Sequence, residues 1–255
     1  MIKQCLSKSS IDSQKIHLLS RNKNESNVNW LERAYHDLNI TNPSQWNCIV
    51  LTGGKDIASF RIRVAQSYLR GDMLPSFWSD CGLLKVNSKK FANSKFYYLP
   101  LLQPSTDSYA PKRNGLVEIQ LNKLFDQREF PNLALLAIPV AQKGIFDTLK
   151  DYKNERIVYD AVENILPWLA YVWGIGNATN PLMQQIGFPS AMMLSQLFSV
   201  HNFDLAPGAN GSLSSPEVFW SGVKHWQDFY SKTQENGLLP EARYVTDHIY
   251  DIDEN

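Results

Sequence analysis

The run 132–140, NLALLAIPV, constrains the fold more than any other stretch of the chain. Its apolar residues are continuous. They show neither the two-residue alternation of a half-exposed strand nor the 3.6-residue period of a surface helix. A short run of this kind reads as a central strand buried on both faces. The rest of the chain must supply its neighbours and its cover. With 44% hydrophobic residues among 255, it has the material for a sizeable core.

Flanking strands are expected mainly in the first half. Residues 46–51 are apolar and stop at Thr52-Gly53-Gly54. Segments 77–86 and 96–102 follow, and Pro100 marks the second as an edge or a bulge. Residues 116–120 form a short strand that runs into a helical turn at 121–125. The spacing predicts helices over 29–38, with Trp30, Leu31, Ala34 and Leu38 on one side, and over 56–69, with Ile57, Phe60, Val64 and Tyr68. The second half reads as mostly helical: 145–152, 155–166 bent or ended by Pro167, an apolar helix 191–198 opened by Ser190, and a helix from Ser215 to about residue 230. Ser215-Pro216-Glu217 is a strong start, with a serine cap, a proline in the first turn and an acid at the positive end. Polar loops are expected at 103–114, 174–180 and 204–214. Residues 1–25 read as a flexible tail, 26–245 as a single α+β domain, and 246–255 as a loose acidic tail.

Lys+Arg and Asp+Glu each number 25, so no overall basic balance points to nucleic acid. Cys5, Cys48 and Cys81 have neither a disulfide pattern nor zinc spacing, which suits a reducing cytoplasm. No apolar run follows Met1, so no leader is expected, and no stretch is long enough for a membrane span. No metal or organic cofactor is implied. The expected partners are a small-molecule, acyl or peptide ligand and, through the apolar helices of the second half, a second copy in a homodimer.

Three features could carry chemistry. Gly53-Gly54-Lys55 between a strand and a helix has the order of a phosphate-binding loop, but it lacks the upstream glycine and the following Ser or Thr, so a plain turn is the better reading. Ser190, at a helix start, is placed either as a nucleophile, where free N–H groups favour negative charge, or as an ordinary cap or packing residue. Asp80 is either a site residue or a polar strand residue, solvated or paired with Arg61 or Arg63. Cys81, its neighbour, should point to the opposite face. Cys48 reads as core.

The order of these elements over roughly 46–230 resembles the NlpC/P60-like papain superfamily in its circularly permuted form. The matching segments are Trp78-Ser79-Asp80-Cys81-Gly82-Leu83-Leu84, Tyr159-Asp160, Phe188-Pro189-Ser190-Ala191-Met192-Met193, Leu205-Ala206-Pro207-Gly208 and Ser215-Pro216-Glu217. The resemblance implies an antiparallel-rich sheet packed against helices, and amidase, hydrolase or acyltransferase chemistry. It puts Asp80 where the family has its histidine base and Ser190 where it has its cysteine nucleophile. Glu118 or Gln103 would take the place of the polar residue that orients the base. With both reacting positions changed, the resemblance points to a degenerate or non-standard member. An active enzyme using Ser190, or a non-catalytic partner-binding protein, are the alternatives.

Overall fold

The computed structural model describes residues 16–101, 115–125, 130–154, 161–233 and 238–248. The expected loop 103–114, with Gln103, and the Tyr159-Asp160 element lie outside them.

The apolar run forms β6, Asn132–Ile138, and all seven of its residues are buried. It is buried because it is paired on both edges. On one side lies β2, Asn47–Gly53, and on the other β7, Glu241–Thr246, both antiparallel to it. β3 (Asp80–Lys85), β4 (Lys95–Tyr98) and β5 (Val117–Gln120) continue the sheet beyond β2. β1, Ile16–Leu18, closes the far edge by a parallel pairing with β7. The order is β1-β7-β6-β2-β3-β4-β5, antiparallel except at that edge.

Alternation along the strands sorts the core into two layers. Ile49, Leu51, Cys81, Leu83, Tyr97, Ala134, Leu136 and Ile138 pack against helices α2 (Ile57–Ala65), α4 (Gln142–Asn154), α5 (Leu166–Trp173), α6 (Pro189–Ser199) and α7 (Pro216–Thr233). Cys48, Val50, Leu84, Phe96, Tyr98, Leu133 and Leu135 pack against α1 (Asn27–Asp37) and the short α3 (Leu121–Leu124). The α+β class expected from the sequence holds.

Several expectations are corrected. Residues 16–25 are not tail: β1 is part of the sheet, Arg21 pairs with Asp247, and Glu25 is buried with Arg33 on it at 2.7 Å. β7 has no counterpart in the sequence reading, because Glu241 and Arg243 interrupt its apolar pattern. Arg243 is nevertheless buried, its charge met by Asp37 of α1. Thr246 belongs to β7, and Asp247 and His248 are held by Arg21 and Asn132, so the loose C-terminal segment does not begin at 246. Pro167 does not end the helical path: a π-helical turn, Ala161–Ile165, runs straight into α5, and Pro167 lies in the first α-helical turn after that change.

Helices α6 and α7 begin alike. Each has proline at its first position, and the residue before α7's proline, Ser215, caps it by accepting from the Val218 N–H at 3.3 Å. α6 has Phe188 at the cap position and no side-chain cap bond. Its entry is fixed instead by the Phe188 N–H donating to Ser214 O at 2.8 Å.

Candidate functional site

Ser190 is therefore the second residue of α6 and does not cap it. It is completely buried. Its Oγ accepts from the Leu99 N–H at 3.1 Å and lies 3.0 Å from Leu99 O, to which it donates. Asp80 lies near the same Oγ, and its Oδ1 accepts from the Cys81 N–H at 2.7 Å. The structure thus brings together the two residues that the sequence reading singled out, from the start of β3 and the start of α6. Removal from water raises the Asp80 carboxyl to about 7, against the opposing pull of the Cys81 N–H and the Ser190 hydroxyl.

They meet from opposite sides of the sheet. Cys81 belongs to the α6 layer. Asp80 shares the strand face of Gly82 and Leu84, which pack toward Phe96 and the α1 layer. Cys81, not Asp80, is the β3 side chain that faces the helix, the reverse of the orientation a papain-like site requires. Contact with Ser190 is possible because the β3–β4 register runs from Lys85↔Lys95 to Leu83↔Tyr97 and goes no further, leaving a gap beside Leu99. Burial raises the Cys81 thiol well above its ordinary range and the Cys48 thiol to about 12, so both are packing groups.

Neither proposed arginine serves Asp80. Arg61 donates to Val172 O at 2.7 Å; Arg63, completely buried, donates to Ser76 O at 2.6 Å and Gly54 O at 3.3 Å. Glu118, on β5, is clamped by Lys95 at 2.5 Å and Lys153 at 2.6 Å, which hold its carboxyl below the usual range. It is not oriented toward a base. The five histidines of the chain are all placed elsewhere. His17 meets Asp37, His36 packs edge-on against Tyr35, and His201 bonds Thr148. His225 stacks on Phe229, and His248 lies 3.2 Å from Arg63 Nη1.

The Gly-Gly turn is a packing device. A Cβ on Gly53 would collide with the Phe77 carbonyl, and one on Gly54 with the Ser59 hydroxyl. The start of α2 is filled by its own cap, since Asp56 accepts from Ser59 N at 2.9 Å and Ser59 Oγ at 2.6 Å. A phosphate has no place there.

A second polar centre escaped the sequence reading. Glu217, expected only as a favourable acid in the first turn of α7, is 4% exposed. Its carboxylate accepts from Ser76 Oγ at 2.6 Å, and its N–H donates to Gln66 Oε1 at 2.9 Å. Gln66 Nε2 in turn donates to Trp78 O at 2.7 Å. Desolvation raises the Glu217 carboxyl, partly offset by Ser76, Arg70 and Lys224. One signal was available: the apolar stripe of α7 includes Val218 and Phe219, immediately after Glu217, so the first turn was due to be buried.

Among the described residues no His, Cys, Asp and Glu group of three or more is arranged to hold a metal ion, and no helix is long and apolar enough to cross a membrane. No protein-family model, curated protein or solved structure matches the chain.

Proposed function

We propose that this chain is a degenerate papain-like protein that binds an acyl, lipid or peptide ligand and performs no acyl transfer at Ser190. The relationship is supported by the meeting of Asp80 and Ser190, the two positions that the resemblance assigns to base and nucleophile. The loss of chemistry is carried by one observation: the Ser190 hydroxyl is fully buried, with Leu99 N–H and C=O both on it. A serine nucleophile needs an adjacent base and access to a carbonyl carbon. Here the hydroxyl is occupied, and every imidazole is engaged elsewhere. An apolar surface for a ligand is offered by α2 and the end of α5, which Arg61 ties together: Ile57 is 59% and Ile175 64% exposed, and Trp173, the last residue of α5, is exposed too.

A fluorophosphonate probe and a panel of activated esters and amides test the reading. The expected result is no label on Ser190 and no turnover above buffer. In parallel, fatty-acyl and peptide ligands should bind with a response that Ile175→Asp weakens. Label at Ser190, or turnover that a folded Ser190→Ala protein lacks, overturns it.

A further inference from the structure

From Asn164 to Phe203 the chain has no Asp, Glu, Lys or Arg, although 20% of its residues are charged. Much of this segment is core, but part of it faces water. Trp173, Gly174, Ile175 and Gly176 are exposed, and so are Met183, Gln184 and Gln185 one turn later. A surface without ions strips none of them of water when something covers it.

The exposed pieces are gathered along one stripe of α2. Ile57, Arg61 and Ala65 are spaced by four residues and share a side of that helix. Arg61 donates to Val172 O at 2.7 Å, at the end of α5, and Ala65 O accepts from Asn180 Nδ2 at 2.7 Å. Tyr68 Oη then donates to Leu182 O at 3.1 Å. The loop from Trp173 to Met183 is thus pinned to α2 at both ends, with Ile57 one turn before the first pin. The stripe from Ile57 to Ala65 is about 12 Å long.

Two turns hold apolar side chains outward. Ile175 stands between Gly174 and Gly176, both left-handed at φ 64° and 59°. A Cβ on Gly174 would come within 2.7 Å of Arg61 Nη1, so the turn needs glycine there. The 3-10 turn Pro181–Gln184 ends in left-handed Gln185 and leaves Met183 67% exposed. These are projecting tips, not a flat face. A rigid partner would need a matching socket for each, whereas the boundary between lipid headgroups and acyl chains takes aliphatic and Trp side chains without one. The edge of the surface carries Lys55 and Asp56, opposite in sign, and Arg61, bonded to Val172 O. Recruitment by anionic lipid needs a cluster of cations, so the charge pattern matches a zwitterionic surface.

We propose that Ile57, Trp173, Ile175 and Met183 seat the protein on a zwitterionic lipid bilayer, their side chains entering the headgroup–acyl boundary. The chain lies on the membrane and does not span it. This deepens the ligand surface proposed above and rests on it: the acyl chains it meets are those of a bilayer.

Flotation of the full chain with phosphatidylcholine vesicles tests the proposal. Wild-type binding should change less than about twofold between about 0.05 and 0.5 M salt, and as little when phosphatidylserine replaces a fifth of the lipid. Ile175→Asp and Met183→Asp, both on exposed turns and with wild-type circular dichroism, should each lower the partition coefficient about tenfold, the factor for one buried aliphatic side chain. Leu18→Asp, on an exposed apolar residue of β1 at the sheet edge, should leave it unchanged. Absence of wild-type flotation, flotation that requires phosphatidylserine and is lost in salt, or an equal loss in Leu18→Asp overturns it. So does a wild-type dimer in sedimentation that Ile175→Asp splits, because a second copy then covers the surface. Binding of dispersed fatty acid without binding of vesicles overturns the bilayer and leaves the ligand reading standing. Vesicle binding is read without reference to Ser190, so acyl transfer there would sink the non-catalytic reading and not this one.

Discussion

Helices α6 and α7 place a polar side chain at the same position, one residue after a first-turn proline, and use it in opposite ways. Ser190 of α6 has a small hydroxyl that reaches into the plane of the sheet and completes a rung. Glu217 of α7 has a charge that stays beneath its helix and gathers Ser76, with Arg70 and Lys224 contributing from further off. In the first case the helix repairs a gap in the sheet. In the second the sheet's entrance loop satisfies the helix. A polar residue at a helix start is thus not by itself a site: what it bonds decides its role, and both of these bond structure.

The sharpest way to break this comparison is at Glu217. Replacing it by Ala leaves the buried Ser76 hydroxyl without its acceptor and should cost about 2 kcal/mol by urea unfolding. Glu217→Gln, which keeps an acceptor of similar shape, should cost clearly less. Equal losses from the two would mean that the charge, not the hydrogen bond, holds the junction. A second effect is expected at Asp80, and it depends on pH. The folded carboxyl is raised to about 7, so the native state keeps a proton that the unfolded chain gives up near pH 4. Stability from this group is therefore full below about pH 4, falls as pH rises, and is lost by the time pH passes 7. The gap in melting temperature between Asp80→Asn and wild type should move in favour of the variant from pH 5 to pH 8. A constant gap would place Asp80 in water. The smallest change should come at Glu118→Ala. Its two lysine partners are about half exposed, and such pairs are worth under about 1 kcal/mol. A loss as large as that of Glu217→Ala would restore Glu118 as a residue of consequence.

The residues that announce themselves in the sequence are those whose role is local. The both-face burial of 132–138, the start of α7 at Ser215-Pro216, and the core positions of Cys48 and Cys81 all follow from short-range pattern. Asp80 and Ser190 were also picked out, by the order of elements, and they do meet. The nature of their meeting was not legible, because it depends on where the β3–β4 pairing stops. Strand termination of that kind depends on which side chain can replace a rung, and no periodicity reports it. β7 was hidden for a related reason: Arg243 is charged and yet buried, through an aspartate far away on α1. Glu217 was read only as an acid at the positive end of its helix, because that local role accounts for an acid in a first turn.

The place of β7 in the sheet has a consequence for how the chain is made. β6, the most apolar strand, is synthesised well before β7, with α4 to α7 between them, and β7 covers one of its two edges. Until that late segment leaves the ribosome, the edge of β6 presents unpaired N–H and C=O groups beside a wholly apolar strand, the combination that recruits foreign strands. β1 cannot shield it, because β1 pairs with β7 and has no place in the sheet before β7 arrives. Nascent chains stalled before Glu241 should therefore be the species that chaperones hold, and release should follow the emergence of a six-residue strand whose two ionic side chains, Glu241 and Arg243, keep it from aggregating on the way.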